Sequence, residues 1–288
     1  MTDIKDIHNT ITIELMGGLG NQLFQIFTLI NYAIINNKKF VIPHKTTCSR
    51  PTYWDTLFSE LETSLITNNI NNMQVLSEKQ FAYKELPMLS QNTEPIKLYG
   101  YFQSPKYFAS QFNNIVKLLK LREKQQEIKN KFHLKNNSSI NTISMHFRIG
   151  DYALSRNVGY HPIQNSDYYI KSLKMMRNKL INDKKEQKVI YFCEDDDIDK
   201  VMNIINKLIN EFPMVIFERC CCVKTDWEQL LYMSLCDHNI IANSTFSWWG
   251  AYLNENPNKV VCYPALWFGP LLSKHDVSDL LPCEWIKI

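Results

Sequence analysis

Groups that could bind an anionic ligand are concentrated in three turns of the sequence. The first turn, GGLGNQ at Gly17–Gln22, lies between a short β-branched segment and a helical pattern. Glycines let the backbone approach a ligand closely, and the first amides of the following helix carry partial positive charge. The turn has neither a phosphate-loop lysine nor the glycine spacing of a dinucleotide fingerprint, so a tight turn without a ligand is an equally good interpretation. Its candidate phosphate-binding residues are Gly18, Gly20, Asn21 and Gln22.

The second turn, HFRIGD at His146–Asp151, contains an arginine whose planar fork can donate two parallel hydrogen bonds to a pyrophosphate. In extended backbone, His146 and Arg148 fall on the same side of the chain. Asp151 could orient the arginine or bind a ligand hydroxyl. The candidate catalytic residues are therefore Arg148, Asp151 and His146, and either Asp151, His146 or no side chain at all would accept the proton of a reacting hydroxyl. The alternative is a purely structural pair of Arg148 and Asp151.

The third turn, NSTFS at Asn243–Ser247, begins a helix directly after an apolar strand pattern. Its hydroxyls and first helical amides could bind a phosphate, or its serine could only cap the helix. The candidate ligand-binding residues here are Asn243, Ser244, Thr245, Phe246 and Ser247. An acidic run at residues 194–197 could begin a helix, bind magnesium, or accept hydrogen bonds from a base and a ribose. Taken alone, it is interpreted as a solvated helix start.

Composition excludes several classes of function. The chain has 288 residues, enough for two domains of average size, and 45% of them are hydrophobic. A net charge of +3, without clusters of lysine and arginine, argues against a nucleic-acid partner. None of the eight cysteines forms a C-x-x-C pair or a zinc-like spacing, so we expect reduced thiols and no metal site. Because no apolar run reaches the length of a signal peptide or a membrane span, we expect a soluble, cytoplasmic protein.

The elements that must position these turns alternate between strands and helices. Strands are predicted at residues 11–15, 40–42, 96–99, 142–147, 189–193, 214–217, 240–242 and 259–263, and helices at residues 107–121, 166–180, 197–210, 226–236 and 245–253, with a further helix beginning at Asn21. Residues 44–95 have no readable order. This alternation is typical of parallel sheets whose ligands bind beyond the carboxyl ends of the strands. An Asn-rich stretch indicates a boundary between a first domain, 1–138, and a second, 139–288.

Together these segments resemble the α-1,2-fucosyltransferases of glycosyltransferase family 11. The resemblance covers most of the chain and rests on six segments in order: GGLGNQLFQ (17–25), GYFQSPKYF (100–108), HFRIGDY (146–152), DYYI (167–170), the strand and acidic turn at 191–196, and LCDHNIIANSTFSWWGAYL (235–253). It implies a GT-B fold, in which two Rossmann-like α/β domains with parallel sheets face each other. The N-terminal domain would be on the acceptor side, and the C-terminal domain would bind the nucleotide sugar.

The resemblance also implies an activity. An enzyme of this family would move L-fucose from GDP-fucose to the 2-hydroxyl of a galactose-type oligosaccharide or glycoconjugate, with inversion and without a divalent metal or other cofactor. Arg148 and the amides at Gly20–Gln22 and Ser244–Ser247 would neutralise the leaving diphosphate. Asp195 would take part in binding the donor.

Two positions depart from the family pattern. The second arginine of its His-x-Arg-Arg-Gly-Asp motif is replaced by Ile149, and its Phe-Ser-Asp-Asp turn corresponds to Phe-Cys-Glu-Asp at residues 192–195. The missing cation leaves two alternatives open. One is a transferase of the same fold with another nucleotide deoxysugar, such as a rhamnosyl donor. The other is a protein that binds a nucleotide sugar or a glycan without catalysis.

Overall fold

The computed structural model describes residues 9–45, 50–67, 70, 72–91, 94–134, 139–183 and 185–288. The chain divides into two compact units: Met1–Lys124 with His275–Pro282 form unit 1, and Gln125–Lys274 with Cys283–Ile288 form unit 2. The predicted boundary at 138/139 falls on residue 138, which lies outside the described residues. The chain enters unit 2 at Gln125, whose buried amide donates to the Ser234 hydroxyl at 2.6 Å and to the Leu253 carbonyl at 3.3 Å.

Unit 1 is built on a small parallel sheet. Its strands are β1 (Thr10–Ile13), β2 (Lys39–Phe40), β3 (Ile42–Pro43), β4 (Leu65–Ile66), β5 (Gln74–Ser77) and β6 (Ile96–Tyr99). Four of them form a parallel sheet in the order β2-β1-β6-β5, and β3 pairs with β4. The helices are α1 (Leu19–Ile35), α2 (Phe112–Leu118) and α3 (Leu121–Lys131), which continues into unit 2, with short 3-10 helices at Ser59–Ser64, Pro105–Tyr107 and Ala109–Gln111.

Helix α1 forms the centre of the unit 1 core. From Leu19 to Ala33 every residue except Asn21 is buried. A helix that is apolar on nearly every side is stable only when it is covered on every side. Phe24 and Phe27 pack against Phe108, with ring centroids 5.9 and 5.3 Å apart. This packing fixes the start of α1, and with it the Gly-rich turn, at the carboxyl end of β1.

Unit 2 contains a larger parallel sheet. Its strands are β7 (Ile140–His146), β8 (Glu186–Phe192), β9 (Ile216–Arg219), β10 (His238–Ile240), β11 (Val261–Tyr263) and β12 (Ile286–Lys287), in the order β9-β8-β7-β10-β11-β12. Its helices are α4 (Ser166–Lys179), α5 (Ile198–Glu211), α6 (Asp226–Ser234) and α7 (Thr245–Tyr252), with 3-10 helices at Gly150–Ala153, Asp195–Asp197 and Pro270–Leu272. Apolar side chains of β7, β8, α4 and α5 form one continuous core.

The strand order of unit 2 defines where a ligand would bind. The chain runs outward from β7 to β9, then returns to the other side of β7 with β10. Sheets wound in this way bind ligands at the carboxyl ends of the strands, beside the point where the strand order reverses. That point lies between β7 and β10, which pair with His238 opposite Ile143 and Ile240 opposite Met145. The turns that follow these two strands therefore lie side by side.

The predicted α/β class with parallel sheets is confirmed, and most predicted elements lie within a few residues of the observed ones. The prediction of one helix over residues 107–121 is wrong. Phe108 leaves helical geometry, with φ −141°, as it packs its ring against α1, and the left-handed Lys120, with φ +49°, separates α2 from α3. Seven cysteines have free thiols, as predicted, and Cys48 lies outside the described residues.

None of the helices in the described ranges is both long enough and apolar enough to cross a membrane.

Asn239 connects the two central strands of unit 2 to the chain around them. It is fully buried in β10, and its amide donates to the Ser144 hydroxyl at 2.7 Å and to the Met233 carbonyl at 2.9 Å. Its Oδ1 accepts a hydrogen bond from Asn254 at 2.9 Å. Removing one member of a buried network leaves its partners unpaired.

We expect Asn239→Ala to lower the free energy of unfolding by about 2–4 kcal/mol, because Ser144 and Asn254 each lose a buried partner. Denaturant unfolding measures the change. The matched control is the exposed Asn258→Ala, for which we expect a change below about 0.5 kcal/mol. Equal stabilities of the two variants would show that this network does not hold the central strands.

Candidate functional site

Arg148 lies in the turn that follows β7 and is paired with two carboxylates. Its Nη2 donates to Oδ1 of Asp151 and its Nη1 to Oε1 of Glu194, each at 2.5 Å. The Arg148 side chain is 22% exposed, compared with 32% for Asp151 and 56% for Glu194. A guanidinium has five N–H donors, so two ion pairs leave donors for a ligand. Because an exposed ion pair contributes little stability, an incoming anion can displace Glu194.

Gly150 lets the turns after β7 and β8 close together around Arg148. Its φ is +25°, and a Cβ at this position would lie 2.7 Å from Oε2 of Glu194. Its amide donates to Oδ2 of Asp197 at 2.6 Å, and Asp197 is buried. Any larger residue at Gly150 would push Glu194 away from the guanidinium.

Two stacked rings lie beside Arg148. The guanidinium carbon is 5.1 Å from the centre of the Tyr152 ring, and His161 stacks on Tyr152 with centroids 4.5 Å apart and planes inclined by 14°. The face of an aromatic ring attracts a cation. Burial raises the pKa of Tyr152 and lowers the pKa of His161, whose pKa Asp151 raises and Arg148 lowers to a smaller extent. Both shifts favour the neutral forms, so the stack holds the guanidinium without adding a charge.

His146, the last residue of β7, is buried beside an aromatic ring. Its ring centroid is 5.5 Å from that of Phe246, and its carbonyl accepts a hydrogen bond from the Tyr169 hydroxyl at 3.1 Å. Burial, and then the charge of Arg148, lowers the pKa of His146 to about 3. Nδ1 of His146 is buried without a hydrogen-bond partner among the described residues. The imidazole is therefore neutral at physiological pH.

Asn243, predicted as a ligand-binding residue, is 2% exposed and bonded on all sides. Its Nδ2 donates to the carbonyls of Pro162 and Trp267, both at 3.0 Å, and its Oδ1 accepts from Gln164 at 3.2 Å. The Tyr152 hydroxyl donates to its backbone carbonyl at 3.1 Å. The side chain of Asn243 thus holds together the loops after β7, β10 and β11.

The start of α7 divides the other predicted ligand-binding residues of this turn into two groups. Ser244 caps the helix, because its hydroxyl accepts from the Phe246 amide at 3.3 Å. The buried Ser247 hydroxyl donates to the carbonyls of Ser244, at 3.3 Å, and Ala242, at 3.5 Å. Thr245 and Phe246 are partly exposed. The side of α7 that can meet a ligand therefore consists of these two residues and the positive end of the helix.

The acidic run begins α5, as the interpretation from its residues alone predicted. Asp195 forms an ion pair with Arg219 and its side chain is 83% exposed, so it is Glu194, and not Asp195, that reaches Arg148. Asp197 accepts the Gly150 amide. Within the described ranges, no group of three or more His, Cys, Asp and Glu side chains is placed to hold a metal ion. Three carboxylates of the run are thus bonded to groups of the protein.

Ile149, at the position of the family's second arginine, is 4% exposed and belongs to the hydrophobic core of unit 2. Its side chain packs into the core, whereas Arg148 forms its ion pairs with Asp151 and Glu194. The substitution therefore does not remove a cation from the side of the turn on which Arg148 lies.

The Gly-rich turn of unit 1 is open at one position. Gly17 has φ +74°, and a Cβ there would lie 2.3 Å from the Asn21 side chain. Gly18 precedes the first residue of α1, and a Cβ added to it would meet no atom within 4 Å. The amides of Asn21 and Gln22 both donate to the Gly18 carbonyl at 3.0 Å, so they begin the helical ladder and cannot neutralise a ligand.

Two motifs of unit 1 are bonded to each other at the carboxyl ends of β1 and β6. Nε2 of Gln25 donates to the Gly100 carbonyl, and Nε2 of Gln103 donates to Oδ1 of Asn21, each at 3.0 Å. The fully buried Gln22 side chain donates to the carbonyls of Gly17, at 3.1 Å, and Pro51, at 2.9 Å. The side chains of Asn21 and Gln22 thus shape the turn.

The sequence patterns did not predict three of the residues that lie around Arg148. Tyr152 belongs to the motif HFRIGDY and Glu194 adjoins the predicted Asp195, so both carried a weak signal. His161 carried none, because its place on Tyr152 depends on how the loop after β7 folds back.

The chain is similar in sequence to two glycosyltransferases of Escherichia coli. The chain is 31% identical over 195 residues to the O-antigen biosynthesis glycosyltransferase WbnK of Escherichia coli, over 66% of this chain and 60% of that protein, which is less than two thirds of its length. It is 24% identical to the alpha-1,2-colitosyltransferase of Escherichia coli, over 96% of this chain and 98% of that protein. Among solved structures, Arabidopsis thaliana FUT1 in complex with GDP has a TM-score of 0.48 and 10% identity, over 89% of this chain and 70% of that chain.

The match to the family as a whole covers more of the chain than either of these relatives. The model described as Glycosyl transferase family 11 matches residues 1–288, which include both compact units and all three turns. The protein belongs to glycosyl transferase family 11.

Proposed function

We propose that this glycosyltransferase moves L-fucose from GDP-fucose to the 2-hydroxyl of a galactose-type acceptor, with inversion at the anomeric carbon and without a divalent metal. The observation that carries the proposal is the position of Arg148. The guanidinium lies in the turn after β7, at the switch point of a doubly wound sheet where such sheets bind nucleotides, and α7 begins after the neighbouring strand β10. One of the relatives, the alpha-1,2-colitosyltransferase, transfers a sugar with the same linkage.

The proposed reaction is a single in-line displacement. The acceptor hydroxyl attacks the anomeric carbon while the bond to GDP breaks on the opposite face, so positive charge develops on the sugar and negative charge on the diphosphate. The hydroxyl proton passes to the Asp151 carboxylate or to water as the new bond forms. Arg148 and the first turn of α7 stabilise that negative charge. Asp151 and the Tyr152 ring hold the guanidinium in place before the donor arrives. A hydrogen-bond donor that is already held in place needs no reorganisation when the negative charge develops on the diphosphate.

The surroundings of His146 argue against its use as the base. A general base works best when its pKa is near the operating pH, and the pKa of His146 is lowered to about 3. We infer that this neutral ring shapes the donor site. The carboxylate of Asp151 is paired with Arg148, so it acts first by orienting the guanidinium.

The contacts of the acidic run support a reaction without a divalent metal. Glu194 and Asp195 are each bound to an arginine, and Asp197 to a backbone amide, so the acidic run is engaged in contacts within the protein. Arg148 supplies a charge that a cation would otherwise supply to the diphosphate.

A second donor is favoured by one relative. The alpha-1,2-colitosyltransferase aligns over 96% of this chain, and colitose is fucose without one ring hydroxyl. A donor carrying colitose would leave the diphosphate contacts to Arg148 unchanged. The difference between the two donors would lie in groups that face the sugar ring.

The proposed activity is tested by incubating the protein with GDP-fucose and a β-galactoside panel of lactose, N-acetyllactosamine and lacto-N-biose. We expect release of GDP, a product with an α-1,2 linkage by NMR, and no loss of rate in EDTA. UDP-galactose is the control donor. Transfer from GDP-colitose but not from GDP-fucose would assign the second donor. Absence of transfer from both, or inhibition by EDTA that Mg²⁺ reverses, would contradict the proposal.

We expect Arg148→Ala to lower kcat by about 100- to 1000-fold, since one well-placed donor to a developing anion contributes about 2.7–4 kcal/mol. The fold should survive, because both carboxylate partners are partly exposed. Arg148→Lys keeps the positive charge but loses the planar fork, so its kcat should lie between those of wild type and Arg148→Ala. Arg177→Ala on α4 is the matched control, with an expected change below about 2-fold. Normal turnover by Arg148→Ala would remove Arg148 from the reaction.

Stability should depend on pH through His146. Its pKa is about 3 when folded and near 6.5 when unfolded, so below about pH 6.5 the unfolded chain binds a proton that the folded chain does not. Folding stability should therefore fall on acidification, by up to about 1.4 kcal/mol per pH unit from this residue. Urea unfolding at several pH values should show a smaller loss in His146→Asn. The exposed His133→Asn is the control, and equal slopes for His146→Asn and wild type would refute the assignment.

A further inference from the structure

The chain around Gly100–Gln103 in unit 1 forms a rigid loop that the reaction proposed above does not yet use. The loop follows β6, next to the Gly-rich turn that follows β1. On its other side, Glu78 directly follows β5. Three neighbouring parallel strands thus deliver these segments to one edge of the sheet, where ligands of α/β units bind.

Glu78 holds the loop by two backbone hydrogen bonds. Its Oε2 accepts the Tyr101 amide at 2.8 Å, and its Oε1 accepts the Phe102 amide at 3.1 Å. Burial raises the pKa of Glu78, and these two hydrogen bonds oppose the rise. Gly100 is required for the contact, because a Cβ there would lie 2.4 Å from Cβ of Glu78.

Phe102 adopts a backbone conformation that costs free energy. Its φ is +52°, a region that bulky residues rarely occupy. The ring is fully buried and packs edge-on against Tyr107 at 5.2 Å. Such strain persists only where surrounding contacts fix it. Here the left-handed turn follows Tyr101, whose side chain is 40% exposed while that of Phe102 is buried.

The groups around Tyr101 suit a neutral, hydroxyl-rich ligand. Residues 15–25 and 98–105 contain no charged side chain, in contrast to the arginine of unit 2. The space beside Gly18 is open, and the amide pair of Asn21 and Gln103 lies at the same edge. The negative face of a tyrosine ring attracts the C–H groups on one face of a pyranose, and the amides can hydrogen-bond its hydroxyls.

We propose that this loop is a subsite for the acceptor, in which Tyr101 is the platform for a sugar ring of the galactose-type glycan. This inference rests on the proposed function, since it assigns the neutral substrate of that reaction to unit 1. Glu78 is a positioning residue in this subsite, because it acts through the backbone of the loop.

The test compares wild type with Tyr101→Ala and Tyr101→Phe, using GDP-fucose and lactose. Loss of the ring in Tyr101→Ala should raise the KM for lactose by about 10-fold or more, which corresponds to about 1.4 kcal/mol. The KM for GDP-fucose and its slow hydrolysis without acceptor should not change. Tyr101→Phe retains the ring and should stay within about 3-fold of wild type. The matched control is Leu118→Ala, since Leu118 is 43% exposed on α2 of the same unit.

An unchanged KM for lactose in Tyr101→Ala, with an active wild type, would overturn the subsite and leave the proposed function standing. An inactive wild type would instead contradict the proposed function. In that case saturation-transfer NMR with lactose still tests the platform. Saturation of lactose C–H protons by wild type and its loss in Tyr101→Ala would support the subsite, and any other pattern would overturn it.

Discussion

The ion pairs of Arg148 with Asp151 and Glu194 are the interaction on which the candidate site of unit 2 depends. A guanidinium on a loop would normally sample many orientations, and ordering it only when a ligand binds would cost side-chain entropy. Here two carboxylates and the Tyr152 ring order it in advance. The pairing of β7 with β10 places the turn that contains Arg148 and the turn that begins α7 at the same edge of the sheet. The positive groups of the site are thus in place before a ligand enters.

The loops around this site are held by neutral groups. The Asn243 side chain is bonded to two other loops, those after β7 and β11, and the shifts in pKa of His146 and His161 both favour uncharged rings. Neutral partners matter because every additional cation or anion near the guanidinium would change the charge that an anionic ligand meets. The charged side chains paired with Arg148 are two carboxylates, of which Glu194 is the more exposed.

Unit 1 differs from unit 2 because it has no arginine at the corresponding edge of its sheet among residues 15–25 and 98–105. These two segments at its carboxyl edge contain no charged side chain, and the carboxylate of Glu78 is engaged by two backbone amides. The contrast agrees with a division in which unit 2 binds the anionic nucleotide and unit 1 a neutral sugar. In both units the polar turns follow parallel strands, so the same architecture presents two different kinds of surface.

The position of Ile149 shows how tertiary structure changes the meaning of a substitution. Judged from the sequence alone, Ile149 removes the second of two adjacent arginines of the family pattern. In the structure, the side chain lies in the hydrophobic core of unit 2, at a point where the backbone has left the extended conformation of β7, with φ −118° and ψ −76°. The core can accept isoleucine at this position without altering the contacts of Arg148.

By itself, the sequence determined the α/β class, the parallel sheets and the three turns, because hydrophobic periodicity and glycine placement are local properties of the chain. The family followed from the resemblance of its motifs. It did not determine that β10 pairs with β7, that Glu194 and not Asp195 reaches Arg148, or that Asn243 and Gln22 bond to the protein. It also misplaced a helix at Phe108, where burial against α1 outweighed helical spacing. These outcomes depend on contacts between residues far apart in the chain, and only the folded sheets decide which of those contacts form.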